Sequence, residues 1–354
     1  MTAPTLSTTY PEARQKFLDA ATDAGAAVSH HPHPLAGPNG AELGIDVASL
    51  GPDDADDVVL VMSGTHGVEG YCGSAVQTNW LTHCSDTRPD DTRVVMIHAL
   101  NPFGFAWVRR VNEDNVDLNR NFVDWDQPVP HNDDYDELAE ILVPKRWDAE
   151  TRAATLTALG EHLQRLGPVE LQRAVSRGQY RHPEGLFYGG DGPTWSNHWL
   201  TTWLTSELTA CSRLILIDVH TGLGPWGHGE YIIHHPADHP AAMRANALWP
   251  HVKSAADSDS VSVLLSGDAL DRIDALLPDV EITSTALEFG TVDPVTVLDS
   301  LRADAWLWSH GDPQSPAGDT VRAQVRAAFI DDDPKWIMTI WDQFELAVSR
   351  ALSA

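Results

Sequence analysis

Residues 213–222 read Arg213-Leu214-Ile215-Leu216-Ile217-Asp218-Val219-His220-Thr221-Gly222. Apart from one acid, the run from Leu214 to Val219 is aliphatic and does not alternate with polar residues, as a strand covered on both faces requires. A His follows at its carboxyl end, where open α/β sheets present their sites. Two more runs share this character, Asp57–Ser63 (DVVLVMS) and residues 93–98 (RVVMIH). Residues 281–288 (EITSTALE) form a more polar fourth. Helical patterns lie between and around them, over 71–83, 195–210, 237–249, 295–309, 321–330 and 335–352, preceded by an amphipathic helix over 10–27. Strands alternating with helices predict an α/β protein with a mostly parallel or mixed sheet sandwiched between helices.

Two stretches depart from that rhythm. Residues 30–39 are rich in His, Pro and Gly and read as a solvated loop rather than a metal-binding tract. Residues 125–192 open Pro- and Asp-rich, carry a long helical pattern over 148–177 and close on a Gly-rich stretch. They read as an insertion packed on a single domain spanning residues 1–354.

Composition narrows the function. Apolar residues make up 42% of the chain, enough for a packed core. The 51 acidic against 23 basic residues give a formal net charge of -28, which repels phosphate backbones and anionic headgroups. Nucleic acid and membrane surfaces are therefore poor partners. No apolar run approaches the roughly 18 residues of a membrane span. The first ten residues lack a charged n-region and an apolar h-region, so the reading is a cytoplasmic protein without a secretory signal. Cys72, Cys84 and Cys211 lack metal or redox spacing and read as buried, reduced thiols.

Polar, metal-competent residues follow the strand runs repeatedly. Ser63-Gly64-Thr65-His66-Gly67-Val68-Glu69-Gly70 sets a His and a Glu three apart at a strand-to-helix turn. That pairing is common by chance, and a polar loop with a helix-starting Glu explains it equally well in isolation. His220 on a second strand changes the balance, because two His and one carboxylate form a catalytic zinc set with the fourth position open. Between them Arg109, Arg110 and Arg120 crowd into a short run with Asn112, Asp117 and Asn119, unusual in so acidic a chain. One guanidinium can bind a carboxylate bidentately and another can polarise a carbonyl. Asp117 suits a bond to the distal nitrogen of a ligating His. Glu288 follows the fourth strand, where a general base for metal-activated water would sit.

In this order, His66-x-x-Glu69, Arg110, Asn119-Arg120, His220 and Glu288 resemble the zinc carboxypeptidase clan. Asp218-x-His220-Thr221-Gly222 is closer to its subgroup of succinylglutamate desuccinylase and aspartoacylase. Across nearly its whole length, the chain resembles a bacterial family of that clan described only as of unknown function. The resemblance implies a three-layer α/β/α sandwich around a mixed, mainly parallel sheet of about eight strands. It implies one Zn2+ per chain on His66, Glu69 and His220, with Asp117 orienting His66. It makes Arg110 the carbonyl-polarising group, Asn119 and Arg120 the binders of a substrate carboxylate, and Glu288 the general base and then acid. The clan's mobile tyrosine has no counterpart in register; Tyr231 is the only Tyr between His220 and Glu288 and stands as a pocket candidate. The expected activity is cleavage of an amide bond next to a free carboxylate, in an N-acyl amino acid or short peptide. A carboxypeptidase for longer peptides and a non-catalytic metal- or ligand-binding relative are the alternatives. Retention of Glu288 and Arg110 speaks against the last, since a metal carrier needs neither.

Overall fold

The computed structural model describes residues 4–257 and 260–354. Residues 1–3, the start of the stretch on which the secretory-signal reading rests, and residues 258–259 lie outside the described residues. Eight strands form one sheet: β1 (Ala27–Pro32), β2 (Gly44–Leu50), β3 (Asp57–Ser63), β4 (Thr92–His98), β5 (Arg213–Trp226), β6 (Gly229–Ile233), β7 (Lys253–Ser254) and β8 (Glu281–Gly290). Their order across the sheet is β1-β2-β4-β3-β5-β8-β6-β7. The centre, β4-β3-β5-β8, is parallel, while β1-β2, β2-β4 and β6-β8 are antiparallel. This is the mixed α/β sandwich expected from the sequence.

The aliphatic runs explain the layering. Successive strand residues point to opposite faces, and here both faces are dry. Val59 and Val61 of β3 and Ile215, Ile217 and Val219 of β5 enter one core. Val58, Leu60 and Met62 of β3 with Leu214 and Leu216 of β5 enter the other. The C-terminal helix Pro334–Leu352 lays Trp336, Ile340, Trp341, Phe344 and Val348 into the first core. At about 25 cal/mol per Å² of apolar surface buried, these layers dominate the folding free energy.

Several boundaries differ from the sequence reading, each for a local reason. The first helix stops at Asp23, not 27, because Gly25 turns the chain at φ 73° into β1. His30 and His31, read as loop, belong to β1, an edge strand paired only with β2. The helical pattern over 148–177 is two helices, Ala149–Leu166 and Pro168–Ser176. Gly167 at φ 79° separates them, followed by a proline that cannot continue a helical ladder. Strands β2, β6 and β7 and the helix Ala269–Leu276 escaped the sequence reading. They are short or punctuated by polar residues, and tertiary pairing supplies what their local pattern lacks. Cys72, Cys84 and Cys211 are buried and free.

Candidate metal centre and its surroundings

Strand order brings the motifs together. β3, β5 and β8 are adjacent and parallel, so their carboxyl ends share one edge of the sheet. His66 follows β3, His220 lies in β5, and Glu288 in β8 stands directly across from His220 in the register. His66, Glu69 and His220 are all buried, and one ligand atom from each falls within 4.8 Å of the others. Among the described residues, no other group of three His, Cys, Asp or Glu does so.

The orientation of the imidazoles is the informative feature. The two Nδ1 atoms face each other at 3.2 Å, and each lies against one oxygen of Glu69, at 2.9 Å for His66 and 2.8 Å for His220. The outer nitrogens are held by carboxylates: His66 Nε2 lies 3.1 Å from Asp117 Oδ1 and His220 Nε2 lies 2.9 Å from Asp218 Oδ2. A carboxylate acceptor fixes a proton on Nε2 and so turns Nδ1 toward the shared space, where a bound cation would take its lone pair in place of a second proton. Two lone pairs and a carboxylate converging on one point suit a divalent cation. The Thr65 hydroxyl donates to Asp218, which anchors that carboxylate in turn.

Electrostatics follow the same arrangement. Burial opposes charge on every group here, but the partners prevail for most of them. His66 and His220 together hold Glu69 below the ordinary carboxylate range despite its burial. Arg110, Arg120 and His66 hold Asp117 well below it. Asp218 and Glu69 lift His220 well above the ordinary imidazole range. Glu288 is the exception: burial, with Glu69 beside it, pushes its carboxyl up to about 8. The Leu223 N–H donates to its Oε1 at 3.0 Å.

The three arginines occupy different settings. Arg110 donates from Nε to Asp117 at 2.9 Å and from Nη1 to Glu69 at 3.1 Å, and among the described residues the donors of Nη2 meet no hydrogen-bond acceptor. Arg109 points into the protein, to Asp304 on the helix Pro294–His310. Arg120 is 2% exposed. Its Nε and Nη2 donate to the Ser176 carbonyl and its Nη1 to the Asn119 carbonyl. Asn119 Nδ2 lies 3.4 Å from His220 Nε2. The segment 176–192 wraps this group: Asp117 N–H donates to the Tyr188 carbonyl, and the Phe187 ring lies 5.5 Å from the Arg110 guanidinium and 5.3 Å from that of Arg120.

Tyr231 lies elsewhere. It projects with Leu287 to the opposite sheet face from Glu288 and stacks on Trp249 with ring centroids 5.7 Å apart. Its place in β6 makes it a core residue, and this corrects the pocket assignment. Sequence reading passed over Asp218 as a partner although it carried a signal, since residues two apart on a strand share a face and Asp218 must project beside His220. Phe187, at the Gly-rich close of residues 125–192, stood out in the sequence as part of a cover for the site, but its approach to the arginines depends on how that segment returns to the sheet.

A family model described as "Protein of unknown function (DUF2817)" matches residues 6–343. No curated protein matches the chain. Among solved structures, bovine thrombin-activatable fibrinolysis inhibitor, solved in complex with tick carboxypeptidase inhibitor, superposes with a TM-score of 0.51 at 11% identity. The match covers 99% of this chain and 97% of that one. Carboxypeptidase A from Helicoverpa armigera gives 0.48 at 14% identity, over 91% and 74% of the two chains. An aspartoacylase family protein from Mesorhizobium loti gives 0.41 at 13%, over 87% and 70%. At these identities the likeness is one of fold, carried by the first superposition, and the mixed α/β fold is carboxypeptidase-like.

Proposed function

The chain belongs to the DUF2817 family, and from its site we propose a zinc-dependent hydrolase that cleaves an amide bond next to a free carboxylate, in an N-acyl amino acid or short peptide. The observation that carries this reading is the pair of histidines with Nε2 locked on Asp117 and Asp218 and Nδ1 turned toward Glu69. His66, Glu69 and His220 would hold the ion, and zinc suits two imidazoles and a carboxylate with an open position. Bound there, it would supply Lewis-acid polarisation and activation of a water.

The remaining chemistry falls to side chains. Glu288 takes a proton from the attacking water and returns it to the leaving amine. Its raised pKa in the metal-free site reflects burial beside Glu69, and a nearby cation would favour its charged form. Arg110 is fixed by Asp117 and Glu69 and keeps donors free, so it can stabilise oxyanion charge without reorganising. Asn119 and Arg120 are assigned to the substrate carboxylate. This requires Arg120 to exchange a carbonyl partner, Ser176 or Asn119, for the incoming anion. Packing of Phe187 and Ser176 around the arginines favours small substrates over long peptides.

The test is a paired assay of N-acetyl amino acids and their carboxamides with zinc-loaded wild type and Arg120→Ala. Strong preference for the acid, lost in the variant, supports the clamp. Equal turnover of acid and amide by wild type would leave a general amidase and remove the carboxylate from the reading. No turnover of either, or of short peptides, by zinc-loaded protein would overturn the hydrolase.

A further inference from the structure

Arg109 is the one arginine of the 109–120 run with no part in the proposed chemistry, and its surroundings are the more informative for that. The turn bearing His66 and Glu69 is a short 3-10 segment, Gly67–Glu69. Its first two backbone N–H groups have no partner within the turn, as at the start of any helix. They donate instead to two consecutive carbonyls of the arginine run, Gly67 to Arg110 at 3.0 Å and Val68 to Arg109 at 2.7 Å. Gly67 permits this approach, since a Cβ there would run into the Gly104 backbone. The placement of two metal-ligating residues thus depends on where the backbone of Arg109 and Arg110 lies.

That backbone is fixed from the other side. Arg109 is 1% exposed and Asp304 3% exposed, and Arg109 Nε donates to Asp304 Oδ2 at 3.0 Å. Nη1 and Nη2 donate to the Asn112 carbonyl and Asn115 Oδ1, and the guanidinium lies 4.2 Å from the centroid of the Trp308 ring. Asp304 and Trp308 both belong to the helix Pro294–His310, which contributes no side chain to the centre itself. Among the described residues Asp304 is the carboxylate that pairs with Arg109, and removing it would leave a buried guanidinium unpaired, which costs far more than losing a surface pair.

We propose that Asp304 and Arg109 are positioning residues for the metal centre: their ion pair ties the helix Pro294–His310 to the Arg109-Arg110 carbonyls, which in turn set the His66–Glu69 turn. The inference rests on the metal reading above and adds a residue that touches neither metal nor substrate. It separates the duties of two adjacent arginines, Arg109 holding the loop and Arg110 facing the chemistry.

The experiment compares zinc affinity, by competition with a chromophoric chelator, in wild type, Asp304→Asn, Asp304→Ala and Val297→Ala, each at a temperature where circular dichroism shows it folded. Val297 is a buried residue of the same helix, about two turns before Asp304, so its truncation controls for lost stability alone. Zinc affinity should fall about 10-fold in the Asp304 variants, comparable to the loss of a direct hydrogen-bond partner of a ligand, and stay near wild type in Val297→Ala. Wild-type affinity in both Asp304 variants, or an equal loss in Val297→Ala, would overturn the proposal. Asp304→Asn preserves the volume and is the variant to read if Asp304→Ala does not fold. Hydrogen exchange of the metal-free proteins gives a second readout that does not need zinc. In Asp304→Asn the Gly67 and Val68 amides should exchange about 10-fold faster, while the interior of the helix Gly70–His83 is unchanged, as local opening predicts. Unchanged exchange at both amides would overturn the proposal even if wild type bound no zinc, an outcome that would separately remove the metal reading.

Discussion

Two sets of histidines in this molecule end differently. His30, His31 and His33 lie almost side by side in sequence, yet the structure scatters them. His30 meets Asp46 and Glu42, His31 packs on Trp199, and His33 meets Glu113. His66 and His220 are 154 residues apart and face each other at 3.2 Å. On a strand, neighbouring side chains point to opposite faces, so adjacency in sequence separates them. Residues at the carboxyl ends of adjacent parallel strands, by contrast, are brought to a common edge however long the connection.

The largest effect expected from this contrast is on metal content. Elemental analysis of His66→Ala or His220→Ala should show the zinc largely gone, while His30→Ala and His33→Ala keep the wild-type stoichiometry. Full occupancy in both of the first two variants would erase the distinction. Next in size is turnover by Glu288→Gln, which should keep its metal and lose roughly 100- to 10,000-fold in rate. Activity within about threefold of wild type would show that another group moves the proton.

The carboxylates behind the histidines sharpen the comparison further. Asp117→Asn and Asp218→Asn should each weaken zinc binding by about 10- to 100-fold, the usual range for partners of a ligating His. Affinities equal to wild type in a chelator titration would leave both acids as mere packing. No such loss is expected from Asp46→Asn beneath His30.

The smallest effect concerns a histidine outside both sets, His235, whose Nε2 lies 2.7 Å from Asp274. Asp274 raises its pKa against partial burial, with Asp271 adding to the rise and Arg244 opposing it; His239 stacks on its ring. A His raised in the folded state contributes stability that is complete below its unfolded pKa of about 6.5 and is lost as pH climbs through the higher folded value. The melting-temperature gap between wild type and Asp274→Asn should therefore be wider at pH 5.5 than at pH 8.5. Because the pair is part-exposed, the gap should correspond to less than about 1 kcal/mol. Parallel melting curves at the two pH values would show that the pair contributes nothing to folding.

Much of this was written locally in the chain. The aliphatic runs of β3 and β5 read as strands buried on both sides, and β3 begins and ends where its pattern does. Helices such as Pro334–Leu352 declared themselves by apolar spacing. The candidate ligands His66, Glu69 and His220 stood out in the sequence because each follows such a run. What the sequence could not decide was how distant pieces meet. That β3, β5 and β8 are neighbours, that Arg109 finds Asp304 across 195 residues while Arg110 turns to Glu69, and that Tyr231 enters the core are outcomes of sheet order and packing. Burial of a periodic face is governed by nearest neighbours in the chain and leaves its mark in every turn of the pattern. The partner of a buried charge is chosen by the whole fold, because desolvation forces each guanidinium onto whichever carboxylate or carbonyl the packed layers bring within reach.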